Sequence, residues 1–143
     1  MPKKTPDLSK ADFSTLSEFR YQMRRFERFS ETAVQAEGIT PLQYLLMLHI
    51  KGFPARDWAT VGELAERLQA QQHGVVALVS RCEAAGLVAR RASMEDRRRV
   101  EVHLLPPGEE VLTRLAALHR AELVALQGKF TVPTLHLPDD HDA

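Results

Sequence analysis

Arginines crowd a short stretch of the chain: Arg90 and Arg91, then Arg97, Arg98 and Arg99, with only Glu95 and Asp96 between them to offset the charge. A guanidinium is always charged and presents a rigid fork of donors, so such a cluster suits phosphate oxygens. Upstream, Gln71, Gln72, His73 and Ser80 can hydrogen-bond base edges, and Val76 can touch a thymine methyl group. The chain carries 19 basic and 19 acidic residues and no net formal charge. The basic stretch is therefore a local feature, and a local basic face is enough to attract a polyanion. The chemistry these residues support is recognition of double-stranded DNA. Arg97 and Arg98 suit a narrow, electronegative minor groove. Arg90, Arg91 and Arg99, together with Arg67 and Thr60, suit phosphates, which set register without reading sequence.

The elements that must hold these side chains can be read from spacing. From Ser9 to Ala36, Leu16, Phe19, Met23, Phe26 and Ala33 recur at helical spacing, with Phe13 and Phe29 alongside. Such a stripe suits packing against another long helix, from a second subunit or within one. Glu37-Gly38 breaks it. Thr40-Pro41-Leu42-Gln43 then starts a leucine-rich second helix with a capping box and a proline at the first helical position, ending at Lys51-Gly52-Phe53-Pro54. A second capping box, Thr60 with Glu63, opens a short helix to about Leu68. The next helix, near residues 71 to 85, turns Val75, Leu78, Val79 and Cys82 inward and is followed by Gly86. Two short helices joined by so few residues form a helix-turn-helix.

The period then changes. Leu87 to Arg91 is compatible with a strand, and Val100, Val102 and Leu104 alternate with Arg99, Glu101 and His103. The polar loop 92 to 98 between them makes a β-hairpin. Pro106-Pro107-Gly108 separates the hairpin from a last helix running to Gln127, with Leu112, Leu115, His119, Leu123 and Leu126 near one stripe. The expected fold is mainly α with a small β-hairpin: a winged helix-turn-helix lobe over 39 to 105, long flanking helices over 9 to 36 and 107 to 127 for dimerisation, and a flexible tail over 128 to 143.

ITPLQYLLMLHI, TVGELAERL, LVSRCEAAGLVARR and above all EDRRRVEVHLLPPGEEVL resemble the MarR family of bacterial and archaeal regulators over roughly residues 15 to 127. The resemblance implies that Asp96 and Arg98 are the paired acid and base of the wing, the arginine entering the minor groove and the aspartate steadying its basic neighbours. It also implies a homodimer held by the first and last helices, and a small apolar or aromatic effector between those helices and the DNA-binding lobe. Two features depart from the family pattern. Gln71-Gln72-His73-Gly74 lacks the usual Ser and Thr, and Pro106 stands where a capping Thr is usual.

Phe19, Met23, Tyr44, Met47, His49 and Trp58 are candidates to line such an effector cleft, with core packing as the competing role for most of them. His119 reads as a packed or hydrogen-bonded histidine. Catalysis is not expected, because the chain has no phosphate-binding glycine loop, no metalloprotease helix and no nucleophile beside a base. Cys82 is the single cysteine, so no internal disulfide can form. His136, Asp139, Asp140, His141 and Asp142 read as an acidic tail rather than a metal site, and no cofactor is expected. No segment approaches a membrane span, which gives the expectation of a cytoplasmic protein. The competing function is a winged helix used for protein assembly, which would have no need of consecutive arginines on its wing.

Overall fold

In a computed structural model, which describes residues 5–138, the chain runs α1 (Lys10–Ala36), α2 (Pro41–Lys51), β1 (Trp58–Thr60), α3 (Val61–Leu68), α4 (Gln72–Ala84), β2 (Val88–Ala92), β3 (Val100–Leu104) and α5 (Pro106–Ala125). Asp139, Asp140, His141 and Asp142, named above for the acidic tail, lie outside the described residues.

Local signals set most boundaries. Ser9, Thr40 and Thr60 each accept the N3 amide of the helix they open, and Asp12, Gln43 and Glu63 reach back to the cap amide. Each box satisfies donors that a helix start otherwise leaves unpaired. At the end of α4, Gly86 takes φ +75°, the Leu87 amide donates to the Cys82 carbonyl at 3.0 Å, and the Gly86 amide donates to the Glu83 carbonyl at 3.0 Å. This Schellman pair turns the chain sharply from α4 into β2. The tight turn between α3 and α4 uses Gln69 at φ +51°, in the left-handed region, with its side-chain amide donating to the Glu66 carbonyl at 2.8 Å.

The sheet contains the expected hairpin of β2 and β3 and adds one strand to it. It has three antiparallel strands in the order β1-β3-β2, with Ala59 opposite Val102 and Arg90 opposite Val102 on the other side. Trp-Ala-Thr is too short to show alternation, and it is a strand only because β3 supplies the partner. The period-two expectation for β3 holds at Val102, which is fully buried, while Val100 is exposed because the hairpin runs out beyond the core there.

The last helix begins earlier than its sequence suggests. Pro106 and Pro107 are its first two residues rather than a separator, and Leu105 takes the cap position without a side-chain bond. Proline fits there because its missing amide would have been unpaired anyway. Gly108 in this first turn packs directly on the Leu87 backbone.

The core is built around α2, where Leu46, Met47 and Ile50 are fully buried, against Val34, Leu64, Val79, Val88, Val102 and Leu115. Val75, Leu78, Val79 and Cys82 face inward, as expected. The long helices leave the core at their far ends. Phe13, Leu16 and Tyr21 of α1 and Leu118, Leu123 and Val124 of α5 are exposed, so the expected α5 stripe is buried only at Leu112, Leu115 and His119. The tail is anchored at its start, where Phe130 stacks on Phe19 and Phe26 with centroids 5.9 and 6.2 Å away.

Cys82 has no exposed surface, and burial pushes its thiol up to about 11, with the nearby Arg81 charge opposing weakly. The thiolate is the nucleophile. Iodoacetamide at pH 8 is therefore expected to leave the folded protein unlabelled and to alkylate it fully in denaturant. Stoichiometric labelling of the native protein, read by intact mass, would contradict this placement.

Candidate nucleic-acid interface

The N-terminus of α3, the exposed side of α4 and the inner edge of the wing enclose a groove of about 600 Å³, lined by Thr60, Val61, Gly62, Glu63, Gln72, Val76, Arg98, Arg99 and Val100. Each wall is held by a different device. At α3, the Thr60 hydroxyl accepts the Glu63 amide at 3.2 Å, and Glu63 returns a bond to the Thr60 amide at 2.9 Å. Burial alone would raise the Glu63 carboxyl, but the bonds from Thr60 and Arg56 outweigh it and keep the group below its ordinary value. Arg56 in turn lies over the rings of Trp58, at 3.8 Å, and Phe53, at 4.4 Å, tying the loop after α2 to the start of α3.

On α4, burial of Val75, Leu78, Val79 and Cys82 leaves Gln71, Gln72, His73 and Val76 exposed. Gly74 sits among them with nothing near the position of a Cβ. Gln72 and Val76 line the groove, while Gln71 faces a neighbouring cleft with Gly62 and Glu66.

The wing tip is ordered by two short polar side chains. Ser93, nearly buried, accepts the amides of Glu95 and Asp96 at 3.3 and 3.2 Å. Asp96 accepts the Arg98 amide at 3.0 Å and Arg98 Nε at 3.3 Å, and its other oxygen lies 3.8 Å from Arg99 Nε. One carboxylate thus holds the turn and orients two guanidinium groups, whose outer nitrogens have no partner among the described residues. The Arg98 side chain is 92% exposed. Arg91 and Arg97 are also exposed.

Three sequence-named residues, Arg67, Arg90 and Ser80, do not line this groove. Arg67 lies near Phe53, 5.5 Å from the ring centroid. Arg90 and Ser80 are bonded to each other, at 2.7 Å.

The six residues named for an effector cleft are not gathered together. Met47 is fully buried and Tyr44 nearly so, the latter stacked on His119 at 4.7 Å. Trp58 stacks on Arg56 and His103 at the sheet. His49 is partly buried, which together with the Arg67 charge lowers its pKa. Phe19 instead lines a cleft of about 360 Å³ with Gln22, Lys129 and Phe130. Helical spacing identifies an apolar face but does not separate a packed face from a lined cavity. His119 is buried, with Nδ1 2.7 Å from the Leu115 carbonyl and Nε2 2.7 Å from Ser30 Oγ. Sequence reasoning missed β1, the Arg56 stack and the Ser93 turn. Of these, only Ser93 before a polar loop carried a local signal.

Comparison with known proteins agrees with this architecture. A model of the MarR family matches residues 37–99, from the C-cap of α1 to the wing arginines. A putative transcriptional regulatory protein for the hcr operon of Thauera aromatica is 32% identical over 96 residues, 67% of this chain and 56% of that protein. The chain thus spans little more than half of that relative's length. The HTH-type transcriptional repressor MdtR of Bacillus subtilis is 27% identical over 109 residues, 73% of this chain and 68% of that protein. Among solved structures, AbsC, a MarR family transcriptional regulator from Streptomyces coelicolor, superposes with a TM-score of 0.76 at 21% identity, covering 90% of this chain and 86% of its own. A Staphylococcus aureus MepR mutant bound to an oligodeoxyribonucleotide gives 0.64 at 18% identity, over 95% and 89% of the two chains. The chain thus shares the fold of MarR family structures along nearly its whole length and matches the family's model from the end of α1 through the wing arginines.

Proposed function

We propose that the protein is a dimeric, sequence-specific repressor that binds duplex DNA with α4 in the major groove and the wing in the adjoining minor groove. The observation that carries this reading is the groove that brings Gln72 and Val76 of α4 beside Arg98 and Arg99 of the wing. Gln72 offers a donor and an acceptor to adenine, and His73 bonds a guanine acceptor. Arg97 and Arg98 follow the negative potential of a narrow minor groove. Arg91, Arg99 and the α3 start suit phosphates in this reading.

A homodimer is supported by the exposed apolar residues at the far ends of α1 and α5, since a second copy would cover them. Two-fold symmetry then calls for a pseudo-palindromic operator with half-sites about one helical turn apart. A small apolar or aromatic effector fits the same reading, and the cleft between Phe19 and Phe130 is the place to look for it.

The test is binding of the full chain to the duplex upstream of its own coding region and to a scrambled duplex, across a salt series. The expected result is selective binding with a steep negative salt slope. Equal, weak binding to both duplexes, and to every duplex recovered by selection from a random library, would remove the proposal in favour of a protein-assembly role.

A further inference from the structure

Arg90 stands in the sequence as one more phosphate-binding arginine, yet its side chain is committed within the chain. Nη2 donates to the Val76 carbonyl at 2.9 Å and to Ser80 Oγ at 2.7 Å, while Nη1 donates to Glu83 Oε1 at 3.1 Å. The second oxygen of that carboxylate accepts the Arg90 backbone amide at 2.9 Å. Ser80 Oγ also donates to the Val76 carbonyl at 3.1 Å. Val76, Ser80 and Glu83 are spaced by four and three, so they line one side of α4. Arg90, from the middle of β2, reaches across that side with its side chain 28% exposed.

Among the described residues, the other side-chain ties of α4 to the body are apolar: Val75, Leu78, Val79 and Cys82 pack in the core. Apolar packing is non-directional and tolerates a small rotation or slide of the helix. Base-edge hydrogen bonds do not, because they weaken steeply with misalignment. A guanidinium fork bonded at three points to two turns of the helix is the directional restraint that packing lacks.

We infer that Arg90, held by Glu83, Ser80 and the Val76 carbonyl, is a positioning residue for base readout, fixing the angle of α4 relative to the wing and so setting sequence discrimination rather than adding a phosphate contact. The inference rests on the DNA-binding reading above. It also removes Ser80 from the base-contacting set, since its hydroxyl proton and one lone pair are used in the lock. Glu83, by the same account, is part of the DNA-reading apparatus although it is an acid beside a polyanion.

The experiment uses the full chain, a duplex selected by the unmodified protein from a random library, and a scrambled duplex of the same composition, with affinities followed across salt. Arg90→Lys keeps the charge and loses the fork. It is expected to cut the ratio of the two affinities about tenfold, leaving scrambled-duplex affinity and the salt slope unchanged. Glu83→Gln is expected to lose discrimination in the same way. A purely electrostatic role predicts the opposite for Glu83→Gln, tighter binding to both duplexes, because a negative charge has been removed. Full discrimination by Arg90→Lys overturns the inference. So does an Arg90→Ala protein whose ratio is preserved while its salt slope falls by about 0.9 per subunit, the mark of a lost phosphate contact. If the unmodified protein selects no duplex at all, the DNA-binding reading itself fails, an outcome distinct from either of these.

Discussion

Replacing Gly108 with alanine is expected to lower the melting temperature by about 10 °C, because of all the glycines it is the one where a Cβ would collide with backbone. A Cβ at this position would lie 3.0 Å from the Leu87 carbonyl carbon, 3.2 Å from its Cα and closer still to the carbonyl oxygen. These are backbone atoms at the entry to β2, so no rotamer change relieves the clash. The same oxygen accepts the Leu105 amide at 2.9 Å, so moving Leu87 aside also strains the junction between β3 and α5. Overpacking of this kind costs about 3 kcal/mol where neither side can yield. Gly74 supplies the contrast. It lies in α4 with open space at the Cβ position, so Gly74→Ala should stabilise the protein by up to about 1 kcal/mol through helix propensity. Thermal unfolding of the two variants should therefore move in opposite directions. An alanine at 108 that melts within a degree of the parent would show that the first turn of α5 does not rest on β2 as described.

Gly108 also marks a boundary of what the sequence discloses. Pro-Pro-Gly reads as a separator, because prolines and glycine usually end elements. Only the packing of α5 on Leu87 shows that both prolines are helical and that the glycine is required for close approach. The devices that were legible are those completed within a few residues: Thr40 with Gln43, Thr60 with Glu63, and Gly86 after α4. β1 was not legible, because its only evidence is a partner strand more than forty residues away, as the pairing of Trp58 with His103 shows.

The candidate interface divides along the same line. A run of arginines announces a basic surface, but composition cannot say which guanidinium groups have intramolecular partners. Arg90 and Arg91 are adjacent and look alike in sequence. On a strand they point to opposite faces, so one meets Glu83 and Ser80 across α4 while the other stands exposed. Arg67 is drawn towards Phe53 for a similar reason, as the loop after α2 brings an aromatic ring to that side of α3. The effector residues scatter because apolar spacing marks a buried face and gives no hint of a void. Tyr44 and Met47 turned out to be core.

Arg98→Ala is expected to weaken binding to a selected duplex on the order of a hundredfold and to flatten the salt slope by about 0.9 for each wing engaged, or about 1.8 for a two-fold complex. Arg98 is the most suitable wing residue for this test because its removal leaves the core untouched: its side chain is 92% exposed and, among the described residues, its side-chain partner is Asp96. The fold should therefore survive, and circular dichroism and melting should match the parent. Asp96→Ala is the informative companion, since two effects act on it with opposite signs. Removing a negative charge from the wing favours a polyanion at long range. Removing the acceptor of the Arg98 amide and of Arg98 Nε frees the turn and both guanidinium groups, so ordering them must be repeated on each binding event. The long-range gain is screened over about 10 Å at 0.1 M salt, whereas the cost of ordering the turn is insensitive to salt. Asp96→Ala should thus bind more weakly than the parent above about 0.1 M salt and recover, or overtake it, as salt is lowered. Tighter binding at every salt concentration would mean that Asp96 acts only as a charge and that the wing arginines need no preorganisation.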